Sequence, residues 1–466
     1  MRKEVGILII DKILIDGGIT KETVVALIER HHKGNKRFNR LLNYYKGQHS
    51  IVKDKGKPNK PNNKVVNNYC KYIVDMSAGF FFGAPITYTA KNEADITRLI
   101  ETYQKQEIND IDVKLFKNMS MYGCAFELVY NNSAAEPESV VLPPQQAFVV
   151  YDDTAEHNRL FGVHYRNKRD LYNRITGYIA KVYTDTEIIT FEGSEIDKFE
   201  VTDRETHEFG MCPLFEYINN DERQGDYEQM LYNVDSYNRL QSDRVNDKEQ
   251  FVDAFLFLKN IILNTDEAKK LNEEKVLISD DPNGDAKFLS QVLNEADTEV
   301  LKKSISDDIH KFSLVPDLSD EKFSGNASGV AIEYKLIGFE NMIANKEAFF
   351  FKGLRERLKL YISFMADKTH EMKKVDIHAI DIISSRNLPQ DDEKRADMIA
   401  KLRGLVSDTT LRGELSFVRD EESEVLRLEE QKRQEAERRI AEEKQYFENT
   451  GYNQTPERVF NNLDEE

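Results

Sequence analysis

The residues best suited to chemistry in this chain are carboxylates in adjacent pairs: Asp152–Asp153, Asp280–Asp281 and Asp307–Asp308. Clustered carboxylates hold Mg²⁺ in nucleases, because a hard cation prefers oxygen ligands. Neighbouring side chains point to different faces of a helix or strand, however, so no pair converges on one ion unaided. Composition alone generates such doublets: Asp plus Glu number 83 against 65 Lys plus Arg, a net charge of −18. There is no G-x-x-x-x-G-K-S/T loop for a triphosphate, no H-E-x-x-H zinc helix and no G-x-S-x-G nucleophile turn. Cys70, Cys124 and Cys212 lack the paired spacing of a zinc site or a disulfide framework and read as buried, reduced thiols. His31 and His32 read as the polar end of a helix, without metal partners. No enzyme signature remains, and no cofactor or metal is implied.

The basic residues are placed unevenly. Residues 1–75 hold more Lys and Arg than Asp and Glu, and the segment after Asp420 is acidic. The run "IVKDKGKPNKPNNK" is too polar to pack and reads as a solvated loop, with a contact to nucleic acid or a neighbouring subunit as the alternative. An acidic chain argues against sequence-specific DNA binding, which grips phosphates with a basic face. No apolar run approaches the roughly 18–20 residues of a membrane span. Asp11 and Asp16 interrupt the apolar N-terminal stretch, so neither a signal peptide nor a membrane partner is expected.

The elements that must position these residues are mixed. The first hundred residues read as mainly helical: Val24, Ala26, Leu27, Phe38, Leu41 and Leu42 share roughly one helical face, with a break at Gly34. From Gly123 to about Phe215 short β-branched and aromatic runs alternate with turn residues, and Pro143–Pro144 suits an edge or turn. This predicts an antiparallel β-rich region. Helix returns over Asp226–Phe255, where Tyr227, Met230, Val234 and Tyr237 make a thin apolar stripe. A helix so polar is expected to stay exposed and to pack edge-on against copies of itself. A β insert around Phe257–Leu293 follows, then a helix over Asn294–Ser313 that Pro316 ends.

A long helix from about Gly329 to Met365 would span roughly 55 Å at about 1.5 Å per residue. Gly338 and Gly353 inside it suggest a kink or a close backbone crossing. "VDIHAIDIISSRNLPQD" then reads as a strand, and a charged helical group closes the chain. The fold class is α+β, mainly helical.

Five motifs in order resemble the portal proteins of tailed bacteriophages, of the type found in siphophages of Gram-positive hosts. They are Tyr44-Tyr45-Lys46-Gly47-Gln48-His49; "NNKVVNNYCKYIVDMSAGFFFGAPI"; Tyr122-Gly123 with Ala125 and Glu127; "NNDERQGDYEQMLYNVDSYN" running into "SDRVNDKEQFVDAFL"; and Gly325, Asn326, Ser328, Gly329 and Val330. The match covers residues 44–360; the first forty residues and those beyond about Gln390 are carried by position alone.

The resemblance implies a portal fold with wing, stem, clip and crown, assembling as a ring of about twelve subunits around a central channel. Residues 1–225 would be N-terminal helices and wing, 226–255 the first stem helix, 256–293 the clip and 294–315 the second stem helix. Residues 316–328 would hold the tunnel loop, 329–390 the long kinked helix and wing closure, 391–447 the crown and 448–466 a disordered tail. The DNA-facing loop residues would be Ser319, Asp320, Glu321, Lys322, Phe323, Ser324, Gly325, Asn326 and Ala327. Ser328 or Asn326 can cap the helix that follows. Lys302 and Lys303 would line the channel as basic residues, with ordinary solvated charge as the alternative. Clip residues Phe257, Lys259, Lys275, Asp281, Asn283 and Lys287 would face the docking partners, and Gly338 and Gly353 would kink the long helix.

By the same resemblance the function is a non-catalytic DNA conduit at one capsid vertex, through which the terminase packages the genome and from which it is later ejected. The implied partners are the terminase large subunit, head-completion and adaptor proteins, the major capsid and scaffolding proteins, and double-stranded DNA bound without sequence preference. The place is the virion, after assembly in the host cytoplasm. A packaging nuclease or ATPase and a cytosolic coiled-coil scaffold are the competing classes.

Overall fold

A computed structural model describes residues 8–450 except 59, 91–94, 252–254, 262–282, 290–294, 319–328, 369–371, 373–374, 388–391 and 414–420. In chain order the elements begin with β1 (Leu8–Ile10), α1 (Lys21–Tyr45), α2 (Tyr69–Phe81), β2 (Ala84–Ala90), α3 (Thr97–Lys105) and α4 (Ile108–Tyr122). A run of strands follows: β3 (Cys124–Asn131), β4 (Pro137–Leu142), β5 (Ala147–Asp152), β6 (Arg159–Arg169), β7 (Ile175–Tyr183), β8 (Glu187–Gly193), β9 (Glu200–Thr206) and β10 (Leu214–Ile218). Then come α5 (Leu231–Phe251), β11 (Phe255–Lys259), β12 (Asp285–Leu289), α6 (Glu295–Ser313), α7 (Gly329–Lys368) and β13 (Ile380–Ser385). The last are α8 (Asp392–Leu402), α9 (Asp408–Gly413) and α10 (Glu421–Thr450). Residues 1–387 form one compact unit and 388–466 a second.

The alternating runs between Gly123 and Phe215 become two sheets. The larger has the order β1-β5-β6-β7-β8-β9, antiparallel except that β1 joins β5 in parallel. The smaller has the order β10-β3-β4. The Pro143–Pro144 pair makes the turn at which the chain leaves one sheet for the other, because proline cannot donate to a ladder. Val24, Leu27 and Ile28 of α1 pack on Phe148, Val150, Phe161, Val163, Val182 and Phe191 of the larger sheet. Thr20 caps α1 by accepting from the Thr23 amide at 3.3 Å.

Several expectations are corrected. α1 runs unbroken through Gly34: a glycine costs about 1 kcal/mol there, but Ile28, His31, Asn35 and Phe38 on either side are buried along one face. His31 is therefore a buried mid-helix residue rather than a polar helix end. Its Nδ1 lies 2.9 Å from the Tyr165 hydroxyl. Among the described residues, the first hundred also hold two strands. β2 is hidden in the "FFFGAPITYTA" run, and its partner is β13, far away in sequence. The closing helix α10 reaches Thr450, so the start of the segment expected to be disordered is helical.

The polar helix α5 shows the largest difference. It starts at Leu231 rather than Asp226, after a 3-10 turn over Glu228–Met230, and Phe255 belongs to β11. Its first turns are buried within the same chain, with Val234 and Asn238 fully enclosed. The segment read as a solvated loop supplies part of the cover. Amides of Asn63, Val65 and Asn67 donate to Asn246 Oδ1 (2.6 Å), Ser242 Oγ (2.9 Å) and Asn238 Oδ1 (2.8 Å). Two residues of extended chain rise about 6.6 Å and four helical residues about 6 Å, so alternate amides meet every fourth helix residue. Lys53, Lys55, Lys57 and Lys60 of that segment stay exposed, as expected.

Candidate functional site

One face of α7 carries Lys346, Phe350, Gly353, Arg357 and Tyr361, recurring every three or four residues as a helix face requires. Helix propensity would allow these positions to sit in water, yet Lys346 is 2% exposed and Arg357 0%. Each finds its compensation on another element. Arg357 Nε and Nη2 donate to the two Glu127 oxygens of β3 at 2.7 and 3.0 Å, and Nη1 donates to Asp112 of α4 at 2.5 Å. The Tyr217 hydroxyl of β10 donates to the same Glu127 at 2.6 Å. A buried guanidinium satisfied by two carboxylates in fork geometry fixes helix position more than it adds stability. Burial pushes the Asp112 carboxyl up to about 6, while Arg357 pulls it down.

Lys346 Nζ donates to Asp226 Oδ2 at 2.7 Å and also contacts Ser120 Oγ. Asp226 lies just ahead of α5, and its own amide donates to the Ser120 carbonyl at 2.8 Å. A third tie uses Arg386, after β13, which donates to Glu340 at 3.0 Å and Glu347 at 2.7 Å. So α7, a rod of about 60 Å at about 1.5 Å per residue, is pinned at three heights to α4, the β10-β3-β4 sheet, the start of α5 and the end of β13.

α5 and α6 form an antiparallel hairpin. Arg244 pairs with Glu299 at 2.9 Å and Lys248 with Glu295 at 3.0 Å, so the numbering runs in opposite directions along the contact. The C-terminal end of α6 is clamped by α2. Tyr69 OH lies 3.0 Å from Ser306 Oγ, Tyr72 OH donates to the Pro316 carbonyl at 2.7 Å, and His310 packs edge-on against both tyrosine rings. Leu314, at φ 59°, turns the chain out of the helix ahead of Pro316. The Gly338 position on α7 lies beside Leu314: a Cβ there would meet its Cδ2 at 3.8 Å. The end of α6 and the Gly338 turn of α7 thus lie side by side.

Residues 26–438 match the family model described as phage portal protein, SPP1 Gp6-like. The chain belongs to this portal family. Two curated portal proteins are similar along most of their length. That of Bacillus phage SPP1 is 24% identical over 403 residues, 81% of this chain and 78% of the relative. That of Clostridium phage phiCD119 is 23% identical over 448 residues, 88% of this chain and 96% of the relative. The match extends past the five motifs at both ends, into α1 and into α10. The protein's role is that of a phage portal, the passage for the genome in packaging and ejection.

The residues assigned by resemblance fall unevenly on this portal chain. Ser319, Asp320, Glu321, Lys322, Phe323, Ser324, Gly325, Asn326 and Ala327 lie outside the described residues, as do Lys275, Asp281 and Ser328. Phe257, 49% exposed, and exposed Lys259 sit on β11, and Lys287 is the cross-strand partner of Phe257 on β12. Asn283 is exposed just before β12. Lys302 is half-buried and donates to Glu299 of its own helix at 2.8 Å, a carboxylate it shares with Arg244, whereas Lys303 is exposed. α7 is assigned as one helix through Gly338 and Gly353, and Gly353 has a packing reason of its own. A Cβ there would fall 2.2 Å from the Tyr217 ring.

Sequence reasoning named Glu127 and Asp226 only as landmarks and did not single out Lys346, Arg357, Asp112 or Arg386. An arginine or lysine placed in a stripe of buried apolar residues at helical spacing is the signal that could have found the first two. Asp152 accepts from the Thr154 and Asn158 amides, at 3.3 and 2.8 Å, and so shapes its own loop. The three thiols are buried, as expected, and burial pushes each of them up. No described helix is long and apolar enough to cross a membrane, and no group of three or more His, Cys, Asp or Glu converges among the described residues.

Proposed function

We propose that this portal chain assembles head-to-tail into a closed ring of about twelve subunits around a channel for double-stranded DNA. The observation that carries the ring is the apolar side chains left in water along α6 and α7. Val300 is 70% exposed, Leu301 51%, Phe312 58%, Tyr334 72% and Ile337 58%. Isolated exposed apolar residues need no explanation, but several on two consecutive helices of one unit suit a surface that a partner covers. A second copy is the partner that family membership supplies.

In that ring the α5–α6 hairpin is the stem, and the β11–β12 ladder with the segment between its strands is the clip. The terminase large subunit and later the head-completion and adaptor proteins dock on the clip, through Phe257, Lys259, Lys275, Asp281, Asn283 and Lys287. The wing meets the major capsid and scaffolding proteins, and the charged helices of the second unit are the crown. The protein acts in the virion, after assembly in the host cytoplasm, without catalytic activity of its own. The tunnel loop Ser319–Ala327 touches DNA. Acidic Asp320 and Glu321 beside Lys322 keep that touch weak, so the duplex slides. Lys303 supplies a second, non-specific contact. Gly338 and Gly353 let α7 bend, and the pins at Lys346, Arg357 and Arg386 transmit loop position to stem and wing.

The test is packaging in vitro with the double variant Gly325→Pro, Gly329→Pro. Proline is tolerated at the first helical position, so α7 keeps its start while the loop stiffens. Rings are expected to form while packaged DNA falls severalfold. Normal packaging would contradict a moving loop, and ATP hydrolysis or DNA cleavage by the purified chain would contradict a passive conduit.

A further inference from the structure

A basic groove runs along the exposed side of α1. Lys36, Asn39, Arg40, Asn43 and Tyr44 line it from the helix, and Gln48, Ser50 and Lys53 close it from the turn that follows. The groove is open to solvent and has a volume of about 490 Å³. Lys36, Arg40 and Lys53 are exposed, and none of the three has an ion-pair partner among the described residues. Arg37, on the same helix, differs: it is half-buried and held by Glu228. Two acidic groups lie at the margin, each facing a group of this chain through one oxygen. Asp235 accepts from the Tyr44 hydroxyl at 2.7 Å, and Asp54 faces Arg239 at 3.9 Å.

Arg40 is the built part of this surface. Its guanidinium carbon sits 5.7 Å from the ring centroids of both Tyr44 and Tyr232. Stacking on two rings holds the planar fork in one orientation before any ligand arrives, so little entropy is lost when it meets a carboxylate. Tyr232 remains 73% exposed at the edge of the groove. An exposed tyrosine beside a pre-oriented arginine is the residue pair on which protein interfaces concentrate their binding energy. The amides of Asn39, Asn43 and Gln48 add neutral donors around the three cations.

We infer that this groove receives a carboxylate-bearing segment of a second copy of the chain. The inference rests on the ring reading and adds to it a polar contact separate from the apolar α6–α7 surface. Charge selects the occupant: the groove is basic, whereas every other copy carries a net charge of −18 and therefore offers acidic surface in excess. Contacts of this kind set register and association rate, and salt weakens them.

The test compares wild type with Lys36→Glu, Arg40→Glu, Lys53→Glu and with the milder Lys36→Gln, Arg40→Gln, Lys53→Gln, by mass photometry over a concentration and salt series. Thermal melting checks that each folds. Wild-type rings are expected to dissociate progressively as salt rises. The Gln variant should need roughly tenfold more protein to assemble, equivalent to about 1.4 kcal/mol, and the Glu variant should stay monomeric. Folded variants that close rings at the wild-type concentration would overturn the inference and leave the ring standing. Normal rings with lost retention of duplex DNA in a gel shift would overturn it in favour of a phosphate contact. Wild type that forms no ring at all would remove the ring reading and this inference together.

Discussion

Arg357 sits in a helix that the sequence marks only as long and apolar, yet its three donors reach carboxylates on two other elements, one of them 230 residues away in the chain. Removing one member of a buried ionic group strands the rest without water. Arg357→Met should therefore cost about 3–5 kcal/mol of unfolding free energy, measured by denaturant titration. A loss below about 1 kcal/mol would mean that Glu127 and Asp112 find water instead. His31 gives a second prediction at this scale. Burial among Tyr165, Asn35 and Phe148, with His32 adjacent in sequence, lowers it from 6.5 to about 4. The folded chain thus resists a proton that the unfolded chain accepts, so this contribution is complete above pH 6.5 and declines as pH falls toward 4. Its full size is roughly 3 kcal/mol. His31→Gln should flatten the pH dependence of stability across that window, and unchanged slopes would contradict the assignment. The burial of the cysteines was legible in the sequence, because isolated thiols without a partner pattern are usually core. The Arg357 partners were not, since long-range charge pairing leaves no local trace.

Among the elements, the two glycines of α7 separate cleanly. Gly353→Ala drives a methyl into the Tyr217 ring, which cannot retreat because its hydroxyl is held by Glu127. It should destabilise by roughly 2 kcal/mol or more. Gly338→Ala meets only Leu314 at ordinary contact distance and should stabilise by up to about 1 kcal/mol. Paired melting curves would show opposite shifts, and equal shifts would contradict the packing account. The docked arm makes its own prediction. Ser242→Ala removes the acceptor for the Val65 amide, so hydrogen exchange at residues 63–67 should speed up at a cost of about 1 kcal/mol. Exchange rates at wild-type level would mean that the arm is held elsewhere. The strands from Cys124 to Ile218 were legible from alternation and turn residues. The arm was not, because Asn and Lys are what a solvated loop also contains. The pairing of β2 with β13 escaped for a similar reason: neither strand names its partner.

For the whole molecule, the sequence supplied the family through five motifs in order, and the match over residues 26–438 establishes it. What one chain carries of an assembly is a set of unfinished surfaces: the apolar side chains of α6 and α7 and the basic groove of α1. Composition could not reveal them, because exposure is a property of the folded chain. The most direct test of the central claim is negative-stain electron microscopy of the purified protein under assembly conditions. Closed rings of about twelve subunits with an axial hole are the predicted result. Rods, or compact particles that remain monomeric, would contradict it.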